Sequence, residues 1–208
     1  MIRGVEYSVN LHMNGMFSVY NVLAALTAAL AIGIDIKVAL KALQNVHGVA
    51  GRFEVVNKKP LVIVDYAHTP DGLENVLKSA REITPADGKL ICLFGCGGDR
   101  DATKRPKMGA IAQKLADKII ITSDNPRSED PQQIITDIIA GLKSVDPDIV
   151  TVEPDRGEAI ALLKSIADNN DVVVIAGKGH EDYQILKDKT IHFDDREQAK
   201  KVFVGSVI

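Results

Sequence analysis

The sequence is short of cysteine and has no large excess of charge of either sign. Its two cysteines are Cys92 and Cys96. So few suit a reducing compartment better than a disulfide framework. Cys92 falls inside an apolar run, with no second cysteine pair and no histidine cluster, so no metal centre is expected. The net charge is −3, and Lys and Arg are scattered along the chain. That leaves no basic face for nucleic acid and no polybasic patch for a membrane surface. Internal repeats and low-complexity tracts are also missing. So are two nucleotide-binding signatures, G-x-x-x-x-G-K-[ST] and G-x-G-x-x-G. The stretch "AGKGHED", 176–182, has the Gly-Lys pair of a phosphate loop. It lacks both the following Ser or Thr and the earlier glycine.

The longest apolar region is "MFSVYNVLAALTAALAIGI", 16–34. A membrane span needs roughly 18 or more apolar residues in a row. Ser18, Asn21, Thr27 and Gly33 interrupt this one, and no basic stretch directly precedes it. A buried Ala-rich helix is expected rather than a span or a signal peptide.

With 208 residues, 46% of them apolar, the chain can bury one domain-sized core. Residues 1–50 read as a short strand, "VEYSVNLHM", then helices over 16–32 and 36–46. From residue 51 the rhythm changes. "RFEVV" and "PLVIVDY" form a strand pair across "NKKP". Helices over 71–83, 105–116, 131–143 and 156–168 then alternate with strands over 89–94, 118–122, 149–153 and 171–176. The strands are short continuous apolar runs, as expected when both sheet faces are covered. The alternation predicts an α/β fold with a Rossmann-like, doubly wound, mostly parallel sheet. "YQILKDKTIHF" reads as a hairpin and "DDREQAKKVF" as a closing helix capped by Asp194 or Asp195.

Such sheets bind ligands outside the carboxyl ends of their strands. The unusual polar clusters fall at those ends: "DYAHTPD" (65–71), "GCGGDRDATKRP" (95–106), "SDNPRSEDP" (123–131) and "AGKGHEDYQ" (176–184). Only "PDRGEA" is plainer. Three glycines beside Asp99, Arg100 and Asp101 exceed what a turn requires. His68 and His180 could be packing or site residues, whereas His12, His47 and His192 have nothing around them. The rim offers Arg100 and Arg127 as cations, and Asp124 and Glu181 as anions. Arginine forks match carboxylates, and carboxylates match ammonium groups, so a zwitterionic amino acid suits this rim.

At these residues the sequence resembles the Mur ligases, ATP-dependent amino-acid ligases of peptidoglycan synthesis. "GMFSVYNVLAA", "GRFEVV", "VDYAHTPDGLENVL", "FGCGGDRDATKRPKMG", "SDNPRSEDP" and "AGKGHEDYQ" occur in the family's order. The resemblance implies the branch that adds meso-diaminopimelate to the UDP-MurNAc-dipeptide, which D-N-P-R separates from lysine-adding relatives. It implies that Arg100, Asp124, Asn125, Arg127, Gly177 and Glu181 bind meso-diaminopimelate. It also implies that Asn21, Arg52, Asp65 and, more weakly, His68 lie at the nucleotide. ATP and Mg²⁺ would be the cofactors, held mostly by a central domain whose phosphate loop does not occur here. Residues 1–50 would be the end of that domain and 51–208 the amino-acid-binding domain. A chain without the phosphate loop is expected to be inactive alone, in a cytoplasmic enzyme. No catalytic residue and no metal ligand is assigned; Glu181 and His180 are candidates for a base, and neither is chosen. The alternatives are a non-catalytic amino-acid or nucleotide-binding module, an oxidoreductase domain, or a lysine-adding or folylpolyglutamate-type relative.

Overall fold

A computed structural model describes residues 4–13 and 15–203. The chain divides into two compact units, Met1–Val49 and Ala50–Ile208.

In the first unit, α1 (Met16–Ala31) and α2 (Ile36–Gln44) pack together. Asp35 starts α2 by accepting the backbone N–H groups of Lys37 and Val38, which satisfies donors left open in the first turn. The expected strand over 5–13 does not form: Val5 makes an isolated bridge and the rest is irregular. No other strand lies among the described residues of this unit, so an extended segment has no ladder to join. The Ala-rich helix is also less buried than expected. Ser18, Val22 and Leu26, spaced at i, i+4, are its buried residues, while Tyr20 and Leu23 are 66% and 53% exposed. No helix among the described residues is long and apolar enough to cross a membrane.

The second unit has the expected alternating architecture. Its strands and helices run β1 (Glu54–Lys58), β2 (Leu61–Asp65), α3 (Pro70–Ile83), β3 (Leu90–Phe94), α4 (Lys104–Leu115), β4 (Lys118–Ile121), α5 (Pro131–Ile139), β5 (Val150–Val152), α6 (Arg156–Ile166), β6 (Val172–Ala176), β7 (Tyr183–Ile185), β8 (Thr190–His192) and α7 (Asp195–Phe203). The main sheet has the order β1-β2-β6-β3-β4-β5. β1 is antiparallel to β2, and every other pairing in it is parallel. β7 and β8 form a separate hairpin. β2, β3 and β6 are apolar almost throughout because helices cover both sides. On one face Val62, Val64, Ile91, Leu93, Ile120, Val173 and Ile175 pack with Ala159, Ile160 and Leu163 of α6 and Ala199 of α7. Alternate residues of the same strands point the other way, and α3, α4 and α5 pack side by side in sequence.

Two boundaries differ from expectation for visible reasons. β1 begins at Glu54, two residues late, because Phe53 has a left-handed backbone with φ 48°; it then runs on through Lys58. α5 ends at Ile139 rather than 143. Gly141 packs so closely on the Pro106 carbonyl that an added Cβ would lie 1.8 Å from its oxygen.

The carboxyl ends of β2, β6, β3 and β4 are neighbours in the sheet. Because β6 lies between β2 and β3, the loops after residues 65, 176, 94 and 121 share one rim.

Candidate functional site

Two of these loops are built into each other. Gly98 N–H donates to the Asn125 carbonyl at 2.9 Å, and a Cβ on Gly98 would lie 1.9 Å from the Pro126 oxygen. A Cβ on Gly95 would lie 2.3 Å from the Thr122 oxygen. The glycines of "GCGG" are thus required by the close approach of the β4 loop, beyond the needs of a turn. Asp99 closes the pairing: its carboxylate accepts from Ser128 N–H and the Ser128 hydroxyl, at 3.2 and 2.6 Å. Arg105, 2% exposed, bridges Glu129 and Asp137 at 2.8 and 2.9 Å.

Arg127 holds its position through strained backbone and a fixed head group. Its φ is 54°, in the left-handed region that costs a side-chain-bearing residue about 1–2 kcal/mol. Its N–H donates to the Ile185 carbonyl at 3.1 Å, and Nη1 donates to the Gly98 carbonyl at 2.8 Å. Among the described residues, Nε and Nη2 have no partner. Arg100 is exposed, and its Nη1 donates to the Asp99 carbonyl at 2.9 Å. Gly97 lies between the two: an added Cβ would meet Arg127 Nη1 at 2.8 Å and Arg100 Cγ at 3.8 Å. The two arginines therefore flank one glycine, with most of their N–H groups available.

The acids lie deeper. Asp124 is buried, and among the described residues no hydrogen bond reaches its carboxylate. Gly177, with φ 120°, packs against it; an added Cβ would be 2.7 Å from Asp124 Oδ2. Burial pushes the Asp124 carboxyl above the usual carboxylate range, against the lowering influence of Arg156 and Lys178. The Asn125 amide makes three bonds within the protein. Its Oδ1 accepts from Lys178 Nζ at 3.2 Å and Ile185 N–H at 2.9 Å, and its Nδ2 donates to Glu181 Oε2 at 2.9 Å. Gln184 donates to the Asp124 carbonyl at 2.7 Å. All six residues assigned to the amino acid are thus brought together, but Asn125 serves the loops before any ligand.

A second cluster flanks the same β6 loop. A Cβ on Gly51 would lie 2.1 Å from the Gly179 carbonyl carbon, and one on Gly179 2.6 Å from Tyr66 Cβ. The Arg52 guanidinium stands 4.7 Å over the Tyr66 ring, with His68 at 4.5 Å and His180 at 5.1 Å between ring centroids. His68 Nδ1 bonds the Tyr66 carbonyl at 2.8 Å, and Lys104 Nζ donates to the His68 carbonyl at 2.7 Å. Asp65 does not present a free carboxylate. Oδ2 accepts from Phe53 N–H at 2.7 Å and Oδ1 from Ala67 N–H at 2.8 Å. Burial raises its carboxyl pKa, and these two N–H groups and Arg52 counter the shift. It acts by holding the segments that carry Arg52 and His68. Asn21 is exposed on α1, in the first unit.

Besides Arg105, two fully buried cations among the described residues were not anticipated. Arg156 makes a bidentate pair with Asp195, both bonds 2.7 Å, and donates to the carbonyls of Ser123 at 3.1 Å and Ala176 at 3.0 Å. Lys178 reaches Asn125, Glu181 and the Tyr183 carbonyl. "PDRGEA", the plain loop, therefore supplies a strut for two of the rim loops. One signal was available: a cation in a helix's first turn opposes the macrodipole, so Arg156 and Arg105 stand there for tertiary reasons. Asp194, not Asp195, caps α7, accepting Arg196 N–H at 2.8 Å.

This mostly parallel sheet, with its polar loops gathered on one rim and helices on both faces, defines a doubly wound α/β domain. Residues 51–179 match the family described as "Mur ligase, glutamate ligase domain", and the chain belongs to that family. It is similar to the UDP-N-acetylmuramoyl-L-alanyl-D-glutamate–2,6-diaminopimelate ligase of Syntrophomonas wolfei, with 52% identity over 96% of this chain and 41% of that protein. The enzyme of the same name from Thermosynechococcus vestitus is 54% identical over 89% of this chain and 37% of its own length. A solved structure of a ligase of this name superposes with a TM-score of 0.72 at 39% identity, covering 97% of this chain and 41% of that one. A Mycobacterium tuberculosis folylpolyglutamate synthase shares the fold, with a TM-score of 0.69 at 20% identity over 96% of this chain and 43% of its own. The chain spans about two fifths of the length of the curated relatives it matches.

Proposed function

We propose that this chain is the amino-acid-holding part of an ATP-dependent amide ligase that adds meso-diaminopimelate to the UDP-MurNAc-dipeptide of peptidoglycan, in the cytoplasm. The observation that carries the reading is a rim that holds both charges: Asp124, whose carboxylate accepts no hydrogen bond from the described residues, and, around Gly97, Arg127 and Arg100 with unused N–H groups. Asp124, Glu181 and Asp195 stand against Arg156 and Lys178, three formal anions to two cations, so one more cation balances the cluster. The ammonium group of an amino acid supplies it, and the forks of Arg127 and Arg100 suit its carboxylates. The names of the relatives point to the same substrate.

On this reading Asp124 and Glu181 orient the ammonium end while Arg127 reads the carboxylate that lysine lacks. The amine is thereby presented to an acyl phosphate formed elsewhere in the enzyme, a proximity contribution. ATP supplies that activation. Arg52, with Tyr66 and His68, is the part of this chain suited to a nucleotide's phosphates and ring. Among the described residues no group of three acids, histidines or cysteines could hold a metal ion. Residues 1–50 belong, on the same reading, to the end of the central ATP-binding domain, and the chain alone forms no amide.

Calorimetry of the chain with meso-diaminopimelate and with L-lysine tests this. Heat is expected with the first and little with the second; equal affinities would remove the assignment. Arg127→Lys should weaken meso-diaminopimelate at least about tenfold, since one charge-assisted hydrogen bond of the fork is lost. Unchanged affinity would take the reading role from Arg127.

A further inference from the structure

We propose that Lys178 is a positioning residue for this site: its buried ammonium locks the Asn125 amide in one orientation and holds Glu181 with one carboxylate oxygen unpaired. The inference rests on the amino-acid-binding reading above and adds a residue that does not itself touch the ligand.

Lys178 is 0% exposed, and its place is set by its neighbours. Gly177 and Gly179 both have positive φ, 120° and 54°. An added Cβ on either would strike Asp124 or Tyr66. The Lys178 carbonyl then accepts Glu181 N–H at 2.9 Å, which closes the loop. Nζ has three donors and three acceptors around it: Asn125 Oδ1, Glu181 Oε2 and the Tyr183 carbonyl. A cation beside Oδ1 allows only one sense of the Asn125 amide, with Nδ2 toward Glu181. Glu181 Oε2 is thereby used by Asn125 and Lys178, at 2.9 and 3.4 Å, and Oε1 has no partner among the described residues. One protein cation so fixes the loop after β4, the loop after β6 and the start of the β7–β8 hairpin.

Lys178 also acts on Asp124 at a distance. The groups whose charge reaches that carboxylate are Arg156, Lys178, Asp195 and Glu181; the nearby Cys96 thiol, pushed up to about 12 by burial, stays neutral. Removing Lys178 deletes one of two cations opposing the effect of burial. Asp124 then ionises at higher pH, and the acid limb of ammonium binding moves to higher pH.

The test uses Lys178→Met, with Lys178→Gln in its place if the apolar variant unfolds, and Lys178→Arg as the charge-keeping control. In the ligand-free chain, NMR exchange of the Asn125 side-chain amide and the Ile185 N–H is expected to quicken at least about tenfold without Lys178, while β6 amides stay protected. Unchanged exchange at both would overturn the positioning role whatever the ligand. Calorimetry with meso-diaminopimelate between pH 5 and 9 is expected to show about tenfold weaker binding at pH 7. The acid limb should shift upward and return with Lys178→Arg. An unmoved limb with folded protein would reduce Lys178 to a stabilising residue and overturn the proposal. Absence of wild-type binding would instead sink the amino-acid reading, and the exchange experiment would still decide the role of Lys178.

Discussion

Asp195→Ala should be among the most damaging single changes in this chain, although Asp195 is only the first residue of the last described helix. Arg156 and Asp195 side chains are both 0% exposed. Two of the four hydrogen bonds from the Arg156 guanidinium go to Asp195; the others go to the Ser123 and Ala176 carbonyls. Truncating the acid leaves a guanidinium in a water-free interior with two neutral acceptors. Breaking such a pair from one side costs about 3–5 kcal/mol, a large share of the ~5–15 kcal/mol that stabilises a typical domain. Arg156→Met should cost a similar amount, because it strands the Asp195 carboxylate. The double variant Arg156→Met/Asp195→Leu removes both charges and leaves only two carbonyls short of a donor. It should lose no more than either single change, a coupling of at least about 3 kcal/mol. The sequence has no tryptophan, so urea unfolding is best followed by far-UV circular dichroism. Single losses that add within about 0.5 kcal/mol in the double variant would show that the pair does not act as a unit, and the reasoning would fail.

Other outcomes can be checked alongside. Gly98→Ala drives a methyl group to 1.9 Å from the Pro126 oxygen; it should cost about 1–3 kcal/mol as the loops separate and weaken meso-diaminopimelate. Unaltered unfolding and binding would show that the loops can part freely. Asp124→Asn should stabilise the ligand-free chain at neutral pH while abolishing amino-acid binding, an exchange of stability for function. The sign follows from the raised pKa of Asp124 in the folded state. Above that pKa the folded chain carries a disfavoured anion, and below the unfolded value both states are protonated. The gain from Asn should therefore shrink as pH falls through the carboxylate range. A gain that is constant with pH in thermal melts would mean the Asp124 charge is not the source.

Much of the architecture could be read from the chain because the central strands β2, β3 and β6 are nearly continuous apolar runs and several helices have local punctuation. Asp130, Asp155 and Thr69 sit where helices begin and accept their first-turn N–H groups. The early strand failed because strands depend on partners that local sequence does not specify. The charged residues of the rim were legible as composition: Arg100, Asp124, Arg127 and Glu181 stand at the ends of apolar runs. What they bond to was not. Arg156 finds Asp195 across 39 residues of chain, and Asn125 finds Glu181 across 56. Pairings at such separation come from topology rather than local pattern, which is why "PDRGEA" looked plain and Asp195 looked like a cap. Asp65 shows the same limit: an acid at a strand's end reads as a candidate ligand residue, and the backbone N–H groups of Phe53 and Ala67 that its two oxygens accept are not visible in the sequence.

The loop from Gly177 to Glu181 has two faces. One packs on Asp124 and engages Asn125; the other packs on Gly51 and Tyr66. With glycines wedged on both sides, it has little room to yield on one side without moving on the other. On the proposed reading, an amino acid that reorders it from the Asp124 side would change the free energy of a nucleotide on the Tyr66 side, and the influence would be equal in return. The two proposed sites would then share one linked equilibrium, through five residues of backbone.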